Sequence, residues 1–170
     1  MQGTNANENE NENVDFTGCS IHTPEFTLNG LNTTGRLVDI IDGDSVSIIL
    51  PMFNNFYKYH IRLSGIDTCE MRSKNEKCRN LAIKARDTLL ELVTRSKIHS
   101  ETRREIRDIL DRNVVIVFVK CLDFDKYGRL LANVFFDNEN LSEYLLKHKL
   151  AYTYTGHTKL TEEEQLEMLS

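Results

Sequence analysis

Long apolar runs are absent from this 170-residue chain: none reaches the ~18 residues that a membrane-spanning helix requires. Residues 1–14 are polar and acidic, so they lack both the cationic start and the apolar stretch of a secretory signal peptide. The hydrophobic fraction, 40%, is ordinary for a globular domain. Together these features predict a soluble intracellular protein with no membrane partner.

Cys-x-x-Cys pairs are also missing. The spacing of the four cysteines disfavours a zinc site, and thiols in a reducing compartment are normally free. Cys69 lies among acidic residues, where a small side chain in a turn is a more common role than a reactive thiol. The full set is Cys19, Cys69, Cys78 and Cys121.

Basic residues are absent from both ends of the chain. Residues 1–25 hold five acidic residues and no Lys or Arg, and residues 161–170 hold four acidic residues and no base. The intervening 26–160 therefore contains all 21 basic and the remaining 17 acidic residues, a net charge of +4, although the whole chain carries −5. A mildly basic body permits an anionic substrate.

The length suits one domain with a real core and is too short for two. Residues 1–24 are rich in Asn and Glu, nearly alternating over 7–13, and cannot bury enough apolar surface to offset the entropy of ordering. The sequence therefore predicts a disordered tail at 1–24 and a single domain at 25–170.

Hydrophobic periodicity predicts a β-rich domain with helices inserted between and after its strands. Alternation in the third strand places Arg62 on a polar face, where it is predicted to be accessible and not buried. The fourth strand is a continuous apolar run and is predicted to be buried. The pattern favours an α+β fold, mainly a five-stranded OB-type barrel with about three packed helices. The predicted strands are 35–42, 45–50, 57–66, 114–119 and 130–136, and the predicted helices are 76–95, one that starts at a Thr102 capping box, one from 141 and one from 161.

Three charged segments fall where these strands begin and end: Asp42-Gly43-Asp44-Ser45, Arg62-Leu63-Ser64-Gly65-Ile66-Asp67-Thr68-Cys69-Glu70 and Asp125-Lys126-Tyr127-Gly128-Arg129. A rigid sheet commonly presents polar groups to a ligand in this way. Two arginines that face a carboxylate cluster do not suit a core. They suit a phosphodiester and a metal ion.

These segments, with Ala151-Tyr152-Thr153-Tyr154, resemble the four signatures of the staphylococcal (thermo)nuclease domain family in their order along the chain. The resemblance covers roughly residue 35 to the C-terminus. It implies that Asp44 and Asp67 bind one Ca²⁺ together with the backbone carbonyl of Thr68. Asp42 would act through water, and a simple turn role for it before Gly43 is an equally good interpretation.

The resemblance also implies the catalytic and substrate-binding residues. Glu70 would be the general base, and Arg62 and Arg129 would bind the scissile phosphate and neutralise the charge that grows on it. Lys126, Tyr127, Tyr152 and Tyr154 would line the nucleotide pocket, where aromatic faces stack on any base. For Tyr152 and Tyr154 a core position is a strong alternative.

The function implied is that of a Ca²⁺-dependent nuclease, a monomer, acting on DNA and RNA with a preference for single strands and with 3′-phosphate products. One alternative is a catalytically inactive module that binds nucleic acid or protein, and another is a phosphoesterase of small nucleotides. An inactive module would not need to keep five charged residues together: Asp44, Arg62, Asp67, Glu70 and Arg129. The sequence departs from the family at Cys69, where a proline is usual, in a shorter loop after Glu70, and in an additional helix around Ile106.

Overall fold

The computed structural model describes residues 14–97, 102–156 and 158–169. Most of the predicted disordered tail, residues 1–13, lies outside these residues, and 14–24 form exposed turns and irregular chain. In chain order the elements are β1 (Asn32–Ile40), β2 (Ser45–Met52), β3 (Asn55–Leu63), β4 (Ile66–Asp67), α1 (Glu76–Thr94), α2 (Arg103–Arg112), β5 (Val115–Phe124), β6 (Leu130–Phe136), β7 (Glu139–Asn140), α3 (Leu141–Lys147), β8 (Tyr152–Thr153) and α4 (Glu162–Leu169).

Five strands close into a barrel. Antiparallel pairing runs through β3, β2, β1, β5 and β6, and a parallel pairing of β3 with β6 joins the two ends. Closure leaves no long unpaired edge in the barrel. The predicted five-stranded α+β barrel is confirmed, with four helices in the described residues rather than about three.

The barrel interior is filled by branched aliphatic side chains. They alternate along each strand with outward-facing residues, as the pleat requires, and α1 and α2 extend the same core through Leu89 and Leu110, both fully buried. The predicted capping box starts α2: Thr102 accepts a hydrogen bond from the Glu105 backbone N–H and the Glu105 side chain bonds back to the Thr102 backbone. Fully buried barrel residues include Leu37, Val46, Ile48, Leu50, Ile61, Val119, Leu130 and Val134.

The predicted third strand is wrong at its end. Residues 57–66 do not form one strand, because β3 stops at Leu63 and the chain turns at Gly65, whose φ of 81° is a conformation that favours glycine. Ile66 and Asp67 then pair with β8 in a separate two-stranded sheet. This turn directs Asp67 and Thr68 toward the β1–β2 loop.

Two predictions of burial are also wrong. Arg62 is buried, with 8% of its surface exposed, because its face of β3 is covered by carboxylates from other parts of the chain. The fourth strand is buried on one face only: Val117 and Val119 point inward, whereas Ile116 and Phe118 lie on the outer surface. In the part of the chain that the structure describes, no helix is long and apolar enough to cross a membrane.

Candidate active site

The β1–β2 loop is a tight turn that points two carboxylates toward one end of the barrel. The Ile41 backbone N–H donates to the Ser45 carbonyl at 2.8 Å, and the Asp44 N–H donates to Asp42 Oδ1 at 3.1 Å. A Cβ on Gly43 would lie 2.7 Å from Ala85 Cβ and 2.9 Å from Thr68 Cγ2. Only glycine therefore allows this turn to lie against both α1 and the Thr68 loop.

A buried ionic network lies under this turn. The Arg62 guanidinium bridges two carboxylates, with Nη1 2.6 Å from Asp44 Oδ2 and Nη2 2.5 Å from Asp67 Oδ1. Asp67 is fully buried, and its Oδ2 accepts a hydrogen bond of 2.6 Å from the Tyr152 hydroxyl. The network thus fixes both predicted metal ligands relative to one predicted catalytic arginine.

The two carboxylates titrate differently. Burial raises the pKa of Asp44, and the nearby charge of Asp42 raises it further, which together outweigh the attraction of Arg62. Burial acts on Asp67 in the same direction, but hydrogen bonds from Tyr152, Asp44 and Arg62 outweigh it and hold the pKa of Asp67 below its usual value. The charge of Asp67 also raises the pKa of Asp44, and a divalent cation between the two carboxylates would relieve their repulsion.

The predicted Ca²⁺ ligands are two carboxylates and a backbone carbonyl: Asp44, Asp67 and Thr68. Within residues 14–97, 102–156 and 158–169 no three His, Cys, Asp or Glu groups converge on one point, so no third acidic side chain joins this set. Oxygen ligands alone suit calcium, whose flexible shell water and a substrate phosphate would complete. Two carboxylates make such a site one of modest affinity.

Glu70 lies at the rim of the cleft, in contact with a residue that sequence reasoning missed. The Glu70 carboxylate is 65% exposed, and its Oε1 lies 2.8 Å from the Nζ of Lys159. The same ammonium lies 3.2 Å from Asp67 Oδ1. Lys159 is separated from Glu70 by 89 positions in the sequence, and no local pattern marks it.

The β5–β6 turn carries the second arginine. Asp125 Oδ1 accepts hydrogen bonds from the backbone N–H groups of Tyr127 and Arg129, both at 2.9 Å, and Oδ2 accepts one from Arg129 Nε at 2.8 Å. Burial alone would raise the pKa of Asp125, but these hydrogen bonds and the charge of Arg129 outweigh it and lower that pKa. The turn and the arginine are therefore held by one carboxylate.

The predicted nucleotide-binding residues occupy two different positions. Tyr127 is 72% exposed, and two cations lie near its ring, with Lys126 Nζ 5.1 Å and Arg129 Cζ 5.6 Å from the ring centroid. Tyr154 lies on the cleft with its ring 5.8 Å from Arg62 Cζ. Tyr152 is 3% exposed, so it offers no ring face to a base. In contrast to the predicted stacking role, the structure places it behind the cleft as a support for Asp67.

The remaining predicted residues share one cleft of about 500 Å³. Asp67 and Tyr152 form the layer immediately behind it, through their hydrogen bonds to Arg62 and to each other. The cleft therefore combines carboxylates, arginines and aromatic faces, the groups that a cation, a phosphodiester and a base would each require. Its lining includes Asp42, Asp44, Arg62, Thr68, Glu70, Lys126, Tyr127, Arg129, Tyr154 and Lys159.

Cys69 lies in the wall of the cleft, with 2% of its surface exposed. It is buried in a small cluster with Cys78, Ala82 and Leu169, so it packs the loop against α1 and α4. Burial raises the pKa of the Cys69 thiol, and the neighbouring Cys78 raises it further. Both effects oppose formation of the reactive thiolate. The structural interpretation of this cysteine is therefore favoured over the catalytic one.

We expect iodoacetamide to modify the folded protein rapidly at Cys19 alone, because Cys19 is exposed whereas Cys69, Cys78 and Cys121 are buried. Intact-mass spectrometry should show one adduct per chain under native conditions and four in denaturant. The variant Cys19→Ser is the control and should remain unmodified while folded. Rapid native modification of Cys69 would contradict its burial in this cluster.

Comparison with known proteins identifies a family and two related sequences. The sequence profile of the family described as "Staphylococcal nuclease homologue" matches residues 60–170. An uncharacterized protein from Methanocaldococcus jannaschii is 31% identical over 139 residues, covering 76% of this chain and 63% of the relative. Endonuclease YncB from Bacillus subtilis is 32% identical over 130 residues, covering 75% of this chain and 52% of the relative.

The chain thus spans between half and two-thirds of the length of these two relatives. The matched segment 60–170 runs from the last residues of β3 to α4 and includes Arg62, Glu70 and Arg129. Asp42 and Asp44 precede it. A match over well over half of the sequence, together with the closed five-stranded barrel, establishes that this chain belongs to the staphylococcal nuclease homologue family.

Proposed function

We propose that this protein is a Ca²⁺-dependent nuclease that hydrolyses phosphodiester bonds of DNA and RNA, prefers single strands and leaves 3′-phosphate ends. The observation that carries the proposal is the placement of Arg62 and Arg129 in the same cleft as Asp44, Thr68 and Glu70. An arginine pair would neutralise the charge of a phosphodiester, and the carboxylates would hold a cation. One chain supplies all of these residues, and we propose a monomer as the active unit.

In the proposed mechanism Asp44, Asp67 and the Thr68 carbonyl would hold Ca²⁺, which when bound would supply Lewis-acid stabilisation of charge on the phosphate. Arg62 and Arg129 donate hydrogen bonds to the phosphate oxygens as negative charge increases there. Arg62 is pre-oriented by Asp44 and Asp67 at 2.6 and 2.5 Å, so little rotamer entropy is lost when the substrate binds.

Glu70 is the proposed general base. Its carboxylate is exposed at the rim of the cleft, where it can orient a water molecule and take up a proton. Because Oε1 accepts a hydrogen bond from Lys159, we assign proton uptake to Oε2. Glu70 is 65% exposed, and a base in contact with solvent can release its proton after each turnover.

Tyr127 and Tyr154 are proposed to stack on the bases next to the scissile bond, with Lys126 paired to the backbone. Stacking on aromatic faces requires unpaired bases and discriminates little among them, which supports a preference for single strands without a sequence preference. Tyr152 is assigned a supporting role, because its hydroxyl hydrogen-bonds to Asp67 and its ring is buried.

The test is degradation of labelled single-stranded DNA, double-stranded DNA and RNA by the purified protein in Ca²⁺, Mg²⁺ or EDTA. We expect cleavage in Ca²⁺, none in EDTA, and products whose 3′ ends are sensitive to phosphatase. Glu70→Gln should lower the rate by about 10²- to 10⁴-fold, whereas Glu139→Gln, at an exposed position on β7, should not. Binding of oligonucleotides without cleavage by the folded wild type would instead support a binding module.

A further inference from the structure

Described residues on both sides of Lys159 make hydrogen bonds to other parts of the fold. The Tyr154 backbone N–H donates to the Gly65 carbonyl at 2.9 Å, and Ser73 Oγ donates to Glu162 Oε1 at 2.5 Å. Between these contacts the Leu160 carbonyl accepts a hydrogen bond from the Gln165 side chain at 2.8 Å. The residue that follows Lys159 is therefore anchored to α4 through its backbone carbonyl.

Lys159 contacts two residues assigned different roles. Its Nζ lies 2.8 Å from Glu70 Oε1 and 3.2 Å from Asp67 Oδ1. Its side chain is about half exposed, whereas Asp67 is fully buried and Glu70 is largely exposed. Lys159 thus connects an exposed carboxylate at the rim to a buried one behind the cleft.

The contact with Glu70 restricts the motion of that carboxylate. An exposed glutamate has several accessible rotamers, and ordering it costs free energy. A charged hydrogen bond to the ammonium of Lys159, whose neighbour Leu160 is anchored to α4, selects those rotamers that keep Glu70 beside the cleft. A general base held in this way spends more time within reach of its water molecule.

The contact between Lys159 and Asp67 disfavours binding of a cation by Asp67. Asp67 Oδ1 already accepts a hydrogen bond from Arg62 at 2.5 Å, so two positive groups share this oxygen. A divalent cation bound by Asp67 is repelled by both, and at the partly exposed Lys159 the repulsion is reduced by solvent but not removed.

We propose that Lys159 is a positioning residue that holds Glu70 for proton transfer and weakens divalent-cation binding at Asp67. The inference rests on the proposed function of this cleft. It assigns to one side chain two effects of opposite sign, a gain in turnover and a loss in cation affinity. A lysine that only stabilises the fold would not change these two quantities in opposite directions.

The experiment is calorimetric titration of Ca²⁺ into wild type, Lys159→Met, Lys159→Arg and Lys84→Met without substrate, followed by kcat and KM on a single-stranded oligonucleotide at saturating Ca²⁺. Lys84 is an exposed lysine on α1 and controls for the loss of one positive charge. We expect Lys159→Met to bind Ca²⁺ about three- to tenfold more tightly and to lose about tenfold in kcat with a smaller change in KM. Lys159→Arg should restore both values to within about threefold of wild type, because a guanidinium can also bridge two carboxylates.

Unchanged Ca²⁺ affinity or unchanged kcat in Lys159→Met would overturn the inference. If that variant does not fold, as judged by its thermal transition, Lys159→Gln is titrated in its place under the same criteria. Failure of the proposed function is distinguishable, because wild type would then bind no Ca²⁺ or would bind it without cleaving the oligonucleotide. That result overturns both proposals. If wild type binds Ca²⁺ and cleaves the oligonucleotide, and Lys159→Met does so with unchanged affinity or unchanged kcat, only the inference about Lys159 is overturned.

Discussion

Replacement of Arg62 by methionine is expected to abolish cleavage of single-stranded DNA and to lower the free energy of unfolding by about 3–5 kcal/mol. The reason for both effects is the same buried network. Arg62 lies 2.6 Å from Asp44 and 2.5 Å from Asp67, and its removal takes away the positive partner of Asp44 and leaves Asp67 with Lys159 alone. The measurements are urea denaturation in EDTA and a cleavage assay in Ca²⁺.

Ca²⁺ should return part of the stability that Arg62→Met loses, because a cation bound by Asp44 and Asp67 neutralises the same two charges. Activity should stay lost. The matched control is Arg95→Met, since Arg95 pairs with Asp137 at the surface, where the two side chains are 72% and 58% exposed, and such pairs contribute about 0–1 kcal/mol. Equal stability of the two variants in EDTA would contradict the buried network.

The barrel could be predicted because each strand carries its own local pattern. Alternation over Val46, Ile48 and Leu50 depends only on the pleat of β2, and all three side chains are fully buried. The end of β3 could not be predicted in the same way. Residues 57–66 read as one alternating stretch, and the turn at Gly65 becomes necessary only because Ile66 pairs with Thr153, far along the chain.

The candidate site shows the same division between local and long-range information. The motif segments contain the charged residues that the structure gathers in one cleft. Alternation assigned Arg62 to a polar face, but it could not show that Asp44 and Asp67 cover that face and bury it. Tyr152 and Lys159 reach Asp67 and Glu70 across 85 and 89 positions, so their contacts depend on the path of the chain after β6.

Arg129→Lys is the second substitution with a large expected effect, here on activity alone. Arg129 is one-third exposed and pairs with Asp125 through Nε at 2.8 Å, so a lysine can keep a positive charge near Asp125 and the fold should lose less than about 1 kcal/mol. A lysine cannot reproduce the planar fork that donates two hydrogen bonds to one phosphate. We therefore expect kcat on single-stranded DNA to fall by about 10²- to 10³-fold.

The result separates a catalytic role for Arg129 from a purely structural ion pair. If Arg129 only holds the β5–β6 turn through Asp125, a positive charge at this position is sufficient. The kcat of Arg129→Lys should then lie within a few-fold of that of wild type. If it binds the phosphate at the transition state, kcat falls while the denaturation midpoint stays near that of wild type. Arg104→Lys, at an exposed position on α2, is the matched control for the exchange of arginine for lysine and should leave both quantities unchanged.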